Sequence, residues 1–134
     1  MSDLRICHIE DDIIFALAVN KMFALVSGQI EISHFFNGKE AVDYLNTIDV
    51  HRLWPHILLL DISMPVMDGW EFLDYWSSLS PELTIRTQLY IVTSSNESDD
   101  VSRAKDFPFV KDYLVKPLFK KDLTALIADY FVMK

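Results

Sequence analysis

Short apolar runs alternate along this chain with longer stretches in which apolar residues return every three or four positions. Leu4 to Ile9 reads as a strand. From Ile13 to Val26 the spacing becomes helical, and Ile14, Leu17, Ala18, Met22 and Leu25 share a face expected to point inward. Gly28 is a natural stop for that helix. Ile30 to Phe36 alternates like a second strand. Asn37-Gly-Lys-Glu40 has the spacing of a capping box and opens a second helix, with Val42, Leu45 and Ile48 inward. His56 to Leu60 is almost continuously apolar, as expected of a central parallel strand covered on both faces. Asp68-Gly-Trp-Glu71 is another capping pattern; the helix after it sets Phe72, Leu73, Trp76 and Leu79 on one side and ends at Pro81. Gln88 to Val92 and Val110 to Val115 read as a fourth and a fifth strand. Between them a helix near Asp99 to Asp106 has only a weak apolar stripe. The last helix aligns Leu123, Leu126, Ile127, Tyr130 and Phe131.

Strands alternating one for one with helices predict an α/β fold, a doubly wound parallel sheet covered on both faces. Right-handed crossovers leave few topologies, and for five strands the flavodoxin-like order 2-1-3-4-5, a (βα)5 arrangement, is the expected one. In such sheets the ligand crevice lies beyond the carboxyl ends of the strands.

Composition narrows the function classes. The chain has 134 residues, 51% of them hydrophobic, which suits one packed domain with no linker segment. Its 12 basic and 20 acidic residues leave a net charge of -8, which argues against a nucleic-acid grip. The apolar run Ile13 to Val19 is far shorter than the ~20 residues that span a bilayer, so no membrane insertion is expected. Asp3 and Arg5 come before any long apolar run, so no secretory segment is expected to open the chain, and the lone Cys7 cannot form an intramolecular disulfide. A cytoplasmic domain is the expectation.

The strand ends carry the candidate chemistry. Strand one ends in Glu10-Asp11-Asp12, strand three in Asp61, strand four in Thr93-Ser94 and strand five in Lys116-Pro117. Converging carboxylates repel one another unless a cation joins them, and Mg²⁺ suits hard oxygen donors with retained waters. A lysine and a hydroxyl facing that cluster make a place for a phosphoryl group, and a carboxylate left over is a candidate nucleophile. Asp12 reads as the helix start, and Glu97 to Asp100 as a solvated one. His8 reads as a packed histidine and Cys7 as a small core residue. His34, His51 and His56 show no ligand spacing. Trp70 and Trp76 read as helix packing.

Four motifs then coincide: Glu10-Asp11, Asp61-Ile-Ser-Met-Pro-Val-Met-Asp-Gly69, Thr93-Ser94 and Tyr113-Leu-Val-Lys116-Pro117. In order, spacing and strand-end placement, the chain from about residue 4 to 132 resembles a response-regulator receiver domain of the chemotaxis-type single-domain form. The resemblance implies that Asp61 is the phosphoacceptor, Asp11 a direct metal ligand, Glu10 a ligand through water, and Ser63 a ligand through its backbone carbonyl. It implies that Thr93 bonds the phosphoryl group and moves with it, and that Ser94 leaves room for phosphoryl oxygens. Lys116 would pair with the group, Pro117 would follow it, often through a cis peptide, and Tyr113 would swing inward when Thr93 moves. Ser63 and Ser95 would tune the lifetime of the phosphorylated state.

The implied partner is a histidine kinase or phosphotransfer protein that donates from phosphohistidine. The implied cofactor is Mg²⁺. The implied output is a switch of the fourth helix, fifth strand and fifth helix, read by another protein or passed on in a relay. No output domain is expected after the last helix, and the protein is expected to be a monomer or weak dimer. Phe107, Phe109 and Tyr113 lie near the predicted output face and are candidates for partner binding or dimerisation. Two other classes stay open. A phosphatase with an aspartate nucleophile normally needs a second acid two residues on, where Ser63 stands. A phosphorylation-independent interaction module usually lacks site residues that this chain retains. A flavin binder of the same fold would need a phosphate-cradling loop where three acids stand.

Overall fold

A computed structural model describes residues 4–26, 28–95 and 97–133. Among these residues the strands are β1 (Leu4–Ile9), β2 (Ile30–Phe35), β3 (Ile57–Leu60), β4 (Gln88–Thr93) and β5 (Val110–Val115). The helices are α1 (Ile13–Val26), α2 (Gly38–Leu45), α3 (Gly69–Ser77), α4 (Pro81–Thr84), α5 (Ser98–Ala104) and α6 (Lys120–Met133). All pairings are parallel and the strand order is β2-β1-β3-β4-β5, the doubly wound order expected. Pro81 does not simply end α3. Its fixed φ suits a first helical position, and it opens the one-turn helix α4.

The period-two alternation of the strands splits the core into two layers. Leu58, Leu60, Leu89 and Ile91 face α2, α3 and α5, packing on Leu45, Phe72, Leu73 and Ala104. Ile57, Leu59, Tyr90 and Val92 face α1 and α6, packing on Val19, Phe23, Leu123 and Leu126. The four residues of β3 are completely buried, because helices cover both faces of this central strand. Trp54 and Trp76 stack at 5.5 Å and close one end of the first layer.

Both capping patterns form. Asp68 accepts from the Glu71 amide at 2.9 Å while Glu71 accepts from the Asp68 amide at 3.1 Å, a complete capping box. At α2, Asn37 accepts from the Glu40 amide, but Glu40 reaches past Asn37 to the Phe36 amide instead. Ile48 and Leu79 lie beyond their helices, yet both pack against the first layer.

Helix α1 is rotated from the expectation: of the predicted inward face Met22 still packs against the second layer, but most of the stripe faces outward. Its buried residues are Ala16, Val19 and Phe23, whereas Ile14, Leu17 and Leu25 are 77%, 56% and 73% exposed. All residues of the helix but Asn20 and Lys21 are apolar, so two stripes with helical spacing compete. Phe23 and Val19 fill the layer against β1 and β3, leaving the other stripe to solvent. Phe131, also expected inward, is exposed near the end of α6.

Cys7 is a buried core residue, and burial pushes its thiol up to about 12. Burial, with Asp129 and Asp112 nearby, pushes the Tyr90 hydroxyl up to about 12 as well. The native state therefore keeps protons that an unfolded chain releases from about pH 9. Stability from these groups is complete below about pH 9 and declines as pH rises toward 12. At pH 8 the native protein is expected to resist thiol alkylation, with Cys7 modified only after unfolding in urea. Intact mass checks this, and rapid labelling of the native fold would contradict it.

Candidate functional site

Strand ends bring together residues far apart in sequence. The Glu10 amide donates to the Phe35 carbonyl and the Asp61 amide to the Ile9 carbonyl, so the sheet ladder continues one step into the site. The Lys116 amide donates to the Thr93 carbonyl at 2.9 Å, fixing β5's end against that of β4. Carboxylate oxygens of Glu10, Asp11 and Asp61 lie within 4.8 Å of one another. Lys116 Nζ reaches Glu10 Oε1 at 2.6 Å and Asp61 Oδ2 at 3.6 Å. Its ammonium also sits 4.4 Å from the Phe15 ring centroid, so α1 supplies one wall. Three carboxylates against one ammonium leave an excess of negative charge in a half-enclosed place.

Each acid has a distinct environment. Glu10 is fully buried and Asp61 nearly so, whereas Asp11 is exposed. Burial raises the Glu10 carboxyl to about 7; the hydrogen bond from Lys116 opposes this and the nearby Asp61 charge adds to it. Asp61 Oδ1 accepts from the Ile62 amide at 2.8 Å, which orients the carboxylate and leaves Oδ2 on the Lys116 side. Asp12 turns away from the acids: Oδ1 accepts from the Phe15 amide, the start of α1 as expected. Its own amide donates to Glu10 Oε2 at 3.1 Å and holds that side chain in place.

The remaining predicted residues frame this cluster. Thr93 is buried at the last position of β4, and Ser94 is exposed just after it. Ser63 is exposed and lines the mouth with Asp11, Asp68 and Trp70. The Lys116-Pro117 peptide is cis, as the resemblance implied. Tyr113 is half-buried, and its hydroxyl donates to the Ser95 carbonyl at 2.8 Å, on the β4 side of the sheet. The loop from Asp61 to Gly69 is shaped by a γ-turn: the Met67 amide donates to the Pro65 carbonyl, and Val66 between them has φ 68°. A β-branched residue in that region stores strain in this loop.

Glu10, Asp11 and Asp61 offer carboxylate oxygens of a hard donor set, and crowded like charges of this kind fit a small divalent cation such as Mg²⁺. No helix among the described residues is long and apolar enough to cross a membrane.

The family model for the response regulator receiver domain matches residues 6–128. The chain belongs to that family. Among its relatives, a probable methanogenesis regulatory protein, FilR2, of Methanothrix harundinacea is 30% identical over 122 residues, 90% of this chain and 77% of that protein. Other curated relatives are longer, and the receiver spans 51% or less of each. A two component response regulator from Cytophaga hutchinsonii shares the fold with a TM-score of 0.86 at 24% identity, covering 98% of both chains. The Mn²⁺-bound form of response regulator Rcp1 gives a TM-score of 0.74 at 24% identity, over 93% of this receiver and 89% of that chain.

The receiver also holds contacts that the sequence did not reveal. His34 Nε2 lies 2.7 Å from the Glu10 carbonyl oxygen, and its ring stands 5.8 Å from that of buried His8. Burial first, then the charges of His34 and Lys116, push His8 down to about 3, so it stays neutral. Trp70 does not pair with Trp76. It stacks on Phe107 at 6.2 Å and lies under the Arg103 guanidinium at 4.5 Å. Asp100 is not a freely solvated acid either; it is half-buried and accepts from Ser95 Oγ at 2.6 Å. Phe107 and Phe109 are partly buried against the first core layer, so their removal would cost packing as well as surface. These contacts cross between elements that local periodicity cannot relate.

Proposed function

We propose that this receiver accepts a phosphoryl group on Asp61 from phosphohistidine of a histidine kinase or phosphotransfer protein. The observation that carries the reading is Lys116 Nζ placed between Glu10 Oε1 and Asp61 Oδ2 beside the exposed Asp11 carboxylate. Asp61 Oδ2 attacks phosphorus in line, the P–N bond of the donor breaks, and its electron pair returns to the imidazole nitrogen. Lys116 holds a phosphoryl oxygen as charge develops. Asp11, Asp61 and the Ser63 carbonyl would hold a divalent ion, with Glu10 acting through water, and that ion would add charge neutralisation; the Mn²⁺-bound Rcp1 structure supports a metal in this fold. Thr93 donates its hydroxyl to the new group, Ser94 leaves room for its oxygens, and Pro117 orients the lysine. Hydrolysis by water breaks the O–P bond and restores the Asp61 carboxylate.

The added charge, about one to two units, draws Thr93 inward and favours the buried position of Tyr113. The face formed by α5, β5 and α6 then presents the signal to a protein partner, or the group passes on in a relay. Intact mass after incubation with acetyl phosphate and Mg²⁺ tests the reading. A labile gain of ~80 Da, lost with chelator, is expected. Absence of that gain together with absence of beryllofluoride binding would overturn it.

The exposed Ile14 and Leu17 on α1 lie on the helix that begins beside Asp11 and Asp12. A donor protein reaching Asp61 would cover them. Leu17→Asp is expected to slow phosphotransfer from the partner at least about tenfold, since an interfacial carboxylate is desolvated without a pair. Phosphorylation by acetyl phosphate should be unchanged. Equal loss with both donors would place the effect in the fold instead.

A further inference from the structure

Ser95, in the loop after β4, makes contacts in several directions at once. Its amide points to Thr93 Oγ1 at 3.4 Å, its carbonyl accepts from the Tyr113 hydroxyl at 2.8 Å, and its Oγ donates to Asp100 Oδ2 at 2.6 Å. The Glu97 amide also reaches Ser95 Oγ at 3.4 Å. The N-cap of α5, Glu97, makes no side-chain capping bond. The first turn of α5 is thus fastened to the loop through Asp100, a residue inside the helix.

We propose that Asp100, acting through Ser95, is a positioning residue that aims the Ser95 carbonyl at Tyr113 and so ties the tyrosine's buried position to the placement of α5. The inference rests on the phosphoacceptor reading only for the direction in which the switch moves. The physical argument is geometric. With its Oγ held by Asp100 and its amide drawn to Thr93, Ser95 has little freedom in χ1, φ or ψ. Its carbonyl then points one way. The Tyr113 hydroxyl, half-buried, needs an acceptor and finds that carbonyl. Without Asp100 the loop is released from the helix, the carbonyl is free to rotate, and the buried tyrosine position loses its acceptor. Arg103 over Trp70 anchors the same helix elsewhere, and so separates loosening of α5 in general from loss of this tether.

Ring-fluorinated tyrosine incorporated throughout the full chain gives the test, with Tyr113→Phe assigning one of the five tyrosine resonances. Asp100→Ala and Ser95→Ala should shift the Tyr113 resonance in the same direction, and the double variant should shift it no further. Asp100→Asn keeps an oxygen acceptor for Ser95 Oγ and should leave the resonance in place. Arg103→Ala should leave it in place too. An unmoved resonance in Asp100→Ala, or an equal shift in Arg103→Ala, overturns the proposal. With Mg²⁺ and beryllofluoride, Asp100→Ala should bind the phosphoryl mimic about fivefold more weakly than wild type, since both favour the same tyrosine position. Equal affinity overturns the link to the switch. A wild type that binds no beryllofluoride counts against the phosphoacceptor reading instead, and the resonance shifts still decide the tether.

Discussion

Asp61→Asn is expected to abolish the ~80 Da gain proposed for the wild type with acetyl phosphate and Mg²⁺. The amide is no nucleophile toward phosphorus. Glu10, the other partner of Lys116, is fully buried. The fold should survive the change. An asparagine oxygen still accepts from the Ile62 amide, and Lys116 keeps its ion pair with Glu10 at 2.6 Å. In metal-free buffer the variant should be at least as stable as the wild type, because one of three crowded carboxylates is gone. Mg²⁺ should stabilise the wild type more than the variant, since the proposed ligand set has lost a member. Mass spectrometry and thermal melts with and without Mg²⁺ check both parts. A phosphorylated Asp61→Asn protein would move the acceptor to another residue.

Gly69→Ala should cost about 2–3 kcal/mol of stability, a fall in Tm of roughly 10 °C, because the added methyl has nowhere to go. A Cβ there would stand 2.5 Å from the Asp61 carbonyl oxygen and 2.7 Å from Ile62 Cα. Both are backbone atoms and cannot swing aside. The Gly69 amide meanwhile donates to the Ile62 carbonyl at 2.9 Å, which pins the start of α3 against the segment carrying Asp61. The variant should therefore also phosphorylate more slowly, by displacement of Asp61. Gly28→Ala is the control. No atom lies within 4 Å of its Cβ position, and its effect should stay within about 0.5 kcal/mol. A melting temperature for Gly69→Ala equal to that of Gly28→Ala would refute the packing argument.

Much of the site was legible without coordinates because each motif carries its own local chemistry. A polar residue directly after a buried strand has to emerge at the sheet edge, so Glu10, Asp61, Thr93 and Lys116 announce a shared crevice once the strand order is known. Asp68 and Glu71 announce a helix start through their spacing alone, and their bonds form as the spacing requires. Asp100 illustrates the opposite case. Among Glu97, Ser98, Asp99 and Asp100 nothing in the sequence separates the acid that accepts from Ser95 from those left in solvent. Trp70 is similar: its partners Arg103 and Phe107 lie more than thirty residues away, on and just beyond α5.

Periodicity, caps and strand-end polarity are local properties of the chain, and they suffice for the five strands, most of the helices and the candidate acids, while crossover handedness supplies the strand order. Tertiary structure alone decided the phase of α1. Both of its stripes are apolar, and only the volume left over β1 and β3 selected Phe23 and Val19 for the core and left Ile14 and Leu17 outside. It also decided where charge settles. Lys116 holds Glu10 more closely than Asp61, and burial lifts the Glu10 carboxyl to about 7, because both depend on which groups are desolvated together. Desolvation is a property of the assembled site, and no single segment of the chain contains it.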